Sequence, residues 1–208
     1  MPDRTEAPPR AWQRMLSGRR LNLLDPSPLD IEIGDIAHGL ARVARWNGQT
    51  AGDHAFSVAQ HFLLVERIYC MRHAGAAPAE RLATLLHDAP EYVIGDMISP
   101  FKAVLDGAYR AVERRLLAAV HLRFGLPAVV PDATMSRIKR ADGVAAYYEA
   151  VQLAGFDESE AVRFFGRPGR VDFERVADLL QPWPAKAAES RYLASFDAVA
   201  ETMAREPA

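Results

Sequence analysis

The dipeptide His87-Asp88 is the feature of this sequence that most favours chemistry. It follows the apolar stretch LATLL and precedes Ala89 and Pro90, where a helix is expected to end. An imidazole and a carboxylate side by side in such a place are costly to bury unless another group pairs with them. A divalent cation can do so, because it binds neutral imidazole and carboxylate oxygen together. The dipeptide therefore predicts a metal site.

Further ionisable side chains follow this dipeptide closely. Glu91 comes four residues after His87, which would place both on one face of a continuing helix. Asp96 and Lys102 come next, in a region that Pro100 breaks. Acids and a base beside a metal ion are the groups needed for metal-assisted hydrolysis of a phosphate ester. The segment therefore predicts phosphate chemistry.

The elements that must position these residues are predicted to be helices. Apolar residues recur every three to four positions, and the alternation that is typical of strands is nearly absent. The expected helices cover residues 11–16, 35–46, 54–73, 78–93, 106–124, 132–153 and 185–203. The predicted fold class is all-α, with residues 1–10 as a flexible leader and residues 11–208 as a single domain.

The composition excludes several other classes of protein. Of the 208 residues, 50% are hydrophobic and 25% are charged, and the formal net charge is -2. This balance argues against binding to bulk nucleic acid, which needs an excess of positive charge. The single cysteine excludes a disulfide framework and a Cys-rich zinc module. The sequence shows neither an apolar run of membrane-spanning length nor a signal peptide, so we expect a cytoplasmic protein.

Three segments of the sequence resemble the HD-domain metal-dependent phosphohydrolases. They are HDAPEYVIGD, the upstream DHAFSVAQH and the downstream KRAD. The chain is most similar to the 5′-deoxynucleotidases and to small HD enzymes that act on deoxynucleoside triphosphates, including phage dATP triphosphohydrolases. The resemblance covers residues 21–148, and residues 21–50 are similar to the triphosphate-acting group in particular. It implies that the all-α domain is an HD-domain helical bundle, a fold in which dimers are common.

The resemblance implies a metal-ligand set and two acids. The family's ligands to one divalent ion fall on His54, His87, Asp88 and Asp142. Glu91 matches the acid that orients or deprotonates the attacking water, and Asp96 matches a second active-site acid. The structural alternative for Glu91 is an exposed position, and that for Asp96 is a cap on the following turn.

The resemblance also implies three residues that bind the substrate. Arg45 matches a residue that holds the substrate phosphate in the deoxynucleotidases, and Trp46 is a candidate for stacking on the nucleobase. Lys102 matches a basic residue in a proline-lysine turn, although this sequence inserts Phe101 between Pro100 and Lys102.

Several of these residues also have structural interpretations. His54 is compatible with a helix start, Asp142 and Arg45 with solvated helix positions, and Trp46 with core packing. His61 lies seven residues after His54, near the same helix face, and is either a packed histidine or one that supports a ligand or contacts the substrate.

The predicted function is a divalent-metal phosphohydrolase that acts on a small-molecule (deoxy)nucleotide. A mixed His/Asp site accepts Mn, Fe, Co, Ni, Zn or, less readily, Mg. The choice between monophosphates and triphosphates stays open, with residues 21–50 favouring triphosphates. The alternatives are a non-catalytic HD-fold protein that senses nucleotides or acts as a scaffold, and a hydrolase of cyclic or signalling nucleotides.

Overall fold

A computed structural model describes residues 10–97 and 107–205 and shows a predominantly helical protein. The α-helices of these two ranges are α1 (Ile33–Leu40), α2 (Val58–Arg72), α3 (Pro78–Leu85), α4 (Glu91–Ile94), α5 (Gly107–Arg123), α6 (Asp132–Gln152), α7 (Glu158–Phe165) and α8 (Ala185–Arg205). Short 3₁₀ helices lie at Pro28–Asp30, Arg45–Gly48, Phe173–Arg175 and Ala177–Leu180. The predicted all-α class is confirmed.

One contiguous cluster of buried apolar residues extends through the chain from Leu21 to Val199. The described residues therefore share a single core. Of the predicted leader, only residue 10 lies within the described residues. The helices of the described ranges include none that is both long and apolar enough to cross a membrane.

An N-terminal hairpin stands where the sequence predicts a short helix over residues 11–16. Its strands are β1 (Trp12–Arg14) and β2 (Arg20–Asn22), which pair antiparallel. Gly18 has a φ of 88°, a conformation that glycine adopts without steric cost and that allows the chain to reverse. Leu21 is fully buried and attaches the hairpin to the helical core. The helix prediction was wrong because the hydrogen bonds between the two strands stabilise this segment more than a helix of only six residues would.

Helix α2 lies at the centre of the fold, in contact with α3, α6 and α8. It begins at Val58, four residues later than predicted, because Ser57 caps it by accepting a hydrogen bond from the backbone N–H of Gln60. Most residues of α2 are buried, 11 of its 15, as expected for a helix that is surrounded by others. The late start leaves His54 in the exposed loop that precedes the helix.

The predicted helix over residues 78–93 is interrupted. Helix α3 ends at Leu85, residues 86–90 form turns, and α4 begins at Glu91. Helix α4 packs closely on α1 at Gly39, where an added Cβ would lie 2.6 Å from the carbonyl oxygen of Tyr92. This close approach fixes the position of α4, and with it the position of Glu91.

Helix α6 packs on both α2 and α7. The sequence prediction missed α7, although its start carries a clear signal. Asp157 accepts a hydrogen bond from the backbone N–H of Glu160, and Glu160 accepts one from the backbone N–H of Asp157. This reciprocal pair is a capping box. Helix α7 places Phe165 against Trp46, next to the candidate site.

Candidate metal centre

Three side chains from separate parts of the fold converge on one point. His61 comes from α2, His87 from the turn after α3, and Asp142 from α6. Each offers one ligand atom, and these atoms all lie within 4.8 Å of one another. A fourth group, the carboxylate of Asp88, has Oδ2 at 3.9 Å from Nε2 of His87. Two imidazoles and two carboxylates are a donor set that suits a divalent transition metal.

The ring of His87 is oriented as that of a metal ligand would be. Its Nδ1 lies 2.7 Å from the carbonyl oxygen of Thr84. A carbonyl oxygen can only accept, so Nδ1 carries the proton and donates it. In the neutral ring Nε2 therefore carries the lone pair, and this atom is buried without a hydrogen-bond partner among the described residues. A metal ion would satisfy this buried acceptor.

Helix α6 contacts both ring nitrogens of His61. Nδ1 lies 2.5 Å from Oε1 of Glu149, and Nε2 lies 3.2 Å from Oδ1 of Asp142. Burial and the charge of Arg45 lower the pKa of His61, but the two carboxylates outweigh them and raise it to about 9. The ring is therefore a cation that compensates both carboxylates when no metal is bound.

The two carboxylates of α6 that contact His61 are both ionised. Burial raises the pKa of Asp142, but the hydrogen bond and charge of His61 lower it well below its ordinary value. Burial likewise raises the pKa of Glu149, but the charges of His61 and Arg45 lower it to about 2. Both side chains are therefore anionic at neutral pH.

Arg45 supplies a cation beside this cluster. Its Nη1 donates to Asp96 at 2.9 Å and its Nε donates to Glu149 at 3.4 Å. Burial lowers the pKa of Arg45, but the charges of Glu149, Asp96, Asp142 and Glu91 together raise it above its ordinary value. The guanidinium is therefore held in place by carboxylates and stays protonated.

Trp46 is engaged by the protein itself. Its Nε1 donates to Oε2 of Glu149 at 2.9 Å, and its ring packs against Phe156 and Phe165 with centroids 5.7 and 5.6 Å away. These contacts correspond to the packing interpretation of this residue. Stacking of Trp46 on a nucleobase stays a prediction.

The two predicted catalytic acids lie on the Arg45 side of the cluster. The carboxylate of Asp96 accepts from Arg45, and its side chain is only 6% exposed. Glu91 is 2% exposed, so the exposed position considered for it is excluded. Its charge contributes to the raised pKa of Arg45, which indicates that the two groups are near each other.

Of the predicted ligands, Asp88 lies beside the three converging residues and His54 lies apart from them. The exposed loop before α2 holds His54, and His61 occupies the position that the sequence interpretation gave to His54. The physical reason is the start of α2 at Val58, which directs His61 rather than His54 towards His87 and Asp142. Lys102 lies outside the described residues.

The sequence analysis did not predict two residues of this site. It considered His61 as a packed histidine or as one that supports a ligand or contacts the substrate, but not as a metal ligand. It did not consider Glu149. The available signal for Glu149 is its spacing, because it follows Asp142 by seven residues and about two helical turns place both on one face.

Comparison with known proteins gives one clear relationship. An uncharacterized protein of Rhodobacter capsulatus is 61% identical to the chain over 175 residues, which are 84% of this chain and 89% of that protein. The chain belongs to the same family as this protein. No family model matches the chain. Because the Rhodobacter relative is itself uncharacterized, membership of its family assigns no activity, and the function has to be argued from the site.

Proposed function

We propose that the chain is a divalent-metal-dependent phosphohydrolase of the HD-domain type that acts on deoxynucleotides. The observation that carries the proposal is the convergence of His61, His87 and Asp142, with Asp88 beside them. The order along the chain, a separate histidine, then His-Asp, then a separate aspartate, is the order of that family.

The residues that would hold the metal are His61, His87, Asp88 and Asp142. The buried Nε2 of His87, which has no partner among the described residues, supports this assignment, as does the hydrogen bond that fixes Nδ1 of the same ring. Imidazole and carboxylate ligands together suit Mn, Fe, Co, Ni or Zn better than Mg. A bound ion would lower the pKa of a water molecule and withdraw charge from phosphorus.

The remaining residues would bind the phosphate and handle the proton. Arg45 is a cation beside the cluster, and Nη2 is not used in its bonds to Asp96 and Glu149, so it can donate to a phosphate oxygen. Glu91 would orient the attacking water and accept its proton, because it is a buried carboxylate near Arg45. Asp96 would hold Arg45 in position.

The preference for a deoxynucleotide rests on sequence. The Arg45-Trp46 pair and the SVAQH segment resemble parts of the deoxynucleotidases that contact the substrate. Residues 21–50 favour triphosphates over monophosphates. We also propose a cytoplasmic location, which is compatible with the single cysteine, and a homodimer by analogy with the HD enzymes.

A substrate screen tests this function. Metal-depleted protein would be reloaded with Mn²⁺, Co²⁺, Zn²⁺ or Mg²⁺ and incubated with nucleoside mono-, di- and triphosphates, in deoxy and ribo forms. Separate detection of phosphate, pyrophosphate and triphosphate identifies the bond that is broken. We expect metal-dependent hydrolysis of deoxynucleotides and slow hydrolysis of an aryl phosphate. Equal rates on all these substrates would contradict the proposed specificity, and a metal-loaded protein that hydrolyses none of them would favour the sensor or scaffold alternative.

A further inference from the structure

Glu149 is a completely buried carboxylate with three hydrogen-bond donors from two other segments. Its Oε1 accepts from Nδ1 of His61 at 2.5 Å, and its Oε2 accepts from Nε1 of Trp46 at 2.9 Å and from Nε of Arg45 at 3.4 Å. Its relative exposure is 0%. A buried carboxylate is tolerated only when its oxygens are paired in this way. Glu149 thus joins the histidine of the metal cluster to the arginine beside it.

The bond to His61 determines which ring nitrogen faces the cluster. With Nδ1 directed at Glu149, Nε2 is the atom that lies against Asp142. A carboxylate that accepts from the far nitrogen of a histidine fixes the tautomer and the orientation of the ring. Glu149 therefore presents Nε2 of His61, and not Nδ1, as the ligand atom.

The bonds to Arg45 and Trp46 hold a strained turn. Trp46 and Asn47 have φ values of 55° and 50°, a left-handed conformation that residues other than glycine rarely adopt. Such a conformation persists only where the surroundings impose it. The indole N–H of Trp46 and the guanidinium of Arg45, one on either side of their shared peptide bond, both donate to Glu149. Glu149 therefore acts with Asp96 in holding the guanidinium of Arg45, and it is the one of the two that also holds Trp46.

We propose that Glu149 is a positioning residue that prepares both halves of the site, the metal ligand His61 and the phosphate-binding Arg45. The inference rests on the proposed function, because it assigns these roles to the two residues. Glu149 itself touches neither the metal nor the substrate. Its removal should weaken metal binding and phosphate binding together.

The test uses two probes that do not require turnover. Co²⁺ alone reports on the metal ligands, through its affinity by chelator competition and its visible absorption spectrum. Inorganic pyrophosphate, titrated into the metal-depleted full chain, reports on Arg45. The variants are Glu149→Gln, Glu149→Asp and Arg45→Met, with Glu66→Gln as the matched control. Glu66 is also a buried carboxylate, 9% exposed, but it pairs with Arg81 and Cys70 away from the cluster.

Glu149→Gln should weaken Co²⁺ binding about 10- to 100-fold, the usual effect of losing a residue that supports a ligating histidine. The Co²⁺ spectrum should change as the ring of His61 reorients, and pyrophosphate binding should weaken as well. Arg45→Met should lose pyrophosphate binding but bind Co²⁺ with the wild-type spectrum, and Glu66→Gln should leave both affinities unchanged.

The outcomes separate this inference from the proposed function. A wild-type protein that binds no Co²⁺ would contradict the proposed function itself. A wild-type protein that binds Co²⁺, together with a folded Glu149→Gln variant of unchanged affinity and spectrum, would overturn the role of Glu149 alone. If Glu149→Gln does not fold, Glu149→Asp decides, because it keeps the charge but shortens the reach. Weaker binding of both probes then supports the role, and unchanged binding of both overturns it.

Discussion

Asp142 and Glu149 lie seven residues apart on one face of α6, and each contacts a different ring nitrogen of the same histidine, His61. One helix thereby supplies both a group of the candidate metal cluster and the carboxylate that orients another member of it. The rotation and position of α6 against α2 therefore determine the geometry of the cluster. This explains how His61 and Asp142, which are distant in sequence, are brought together by the packing of two long helices.

Replacement of Glu91 by Gln separates catalysis from metal binding. Gln keeps nearly the size of Glu but cannot accept the proton of the attacking water. A positioned general base contributes about 100- to 10,000-fold in rate, so turnover should fall within that range. The metal content, measured by elemental analysis, should be unchanged, because Glu91 is not among the converging ligands.

The matched variant for that experiment is Asp142→Ala, which should lose the metal and the activity together. A Glu91→Gln protein with bound metal and near-normal turnover would remove Glu91 from the mechanism.

Replacement by Ala should destabilise the protein at one glycine of α1, Gly39, but not at another, Gly34. A Cβ at Gly39 would lie 2.6 Å from the carbonyl oxygen of Tyr92, so α4 would have to move. Overpacking of this kind costs about 1–3 kcal/mol. An added Cβ at Gly34 would meet no atom within 4 Å apart from the neighbouring residues and backbone of its own helix, and an Ala there should be neutral or stabilise by up to about 1 kcal/mol. Chemical denaturation of the two variants measures the change in the free energy of unfolding that each replacement causes. Equal stability of the two would show that the α1–α4 contact is not tight.

The buried ring of His121 should make the protein less stable in mild acid. Burial lowers its pKa below the ordinary value, and a long hydrogen bond to the carbonyl oxygen of Ala128 offsets only part of that effect. As the pH falls through about 6.5, the unfolded chain therefore takes up a proton that the folded chain does not. The contribution of His121 to the free energy of unfolding should fall with it, and His121 should contribute no pH dependence at higher pH.

Replacement of His121 by Gln, which does not titrate, provides the check. The free energy of unfolding would be measured with urea at several pH values between about 7.5 and about 5. It should decrease less steeply with falling pH in His121→Gln than in the wild type. Identical slopes would mean that His121 is not responsible for the decline.

Of the four metal ligands that the sequence analysis proposed, the structure brings His87 and Asp142 together and leaves His54 apart from them. His87-Asp88 could be recognised because a polar pair ends an apolar helix, and Asp142 because it completes the ordered set. The sequence analysis named His54 as a ligand and left the role of His61 open, and the start of α2 bears on both residues. Ser57, followed three residues later by Gln60, is a capping signal that would have placed the start correctly.

Other features depend on contacts between distant parts of the chain. The hairpin of β1 and β2 forms because two short segments pair, which no periodicity within residues 11–16 reveals. The buried role of Glu149 requires Arg45, Trp46 and His61 to meet on one side of α6, and their separation in sequence hides that relationship. Long amphipathic helices such as α6 and α8 were predicted within two residues because their pattern is local.

The metal content of two single histidine variants tests the central claim most directly. Purified wild-type protein, His61→Ala and His54→Ala would each be depleted of metal, reloaded with one divalent cation and measured for bound ion per chain. The cluster predicts that His61→Ala loses the ion, because it removes one of the three converging ligands, whereas His54→Ala binds as much as the wild type. The opposite pattern, with the ion retained in His61→Ala and lost in His54→Ala, would contradict the assignment of the site.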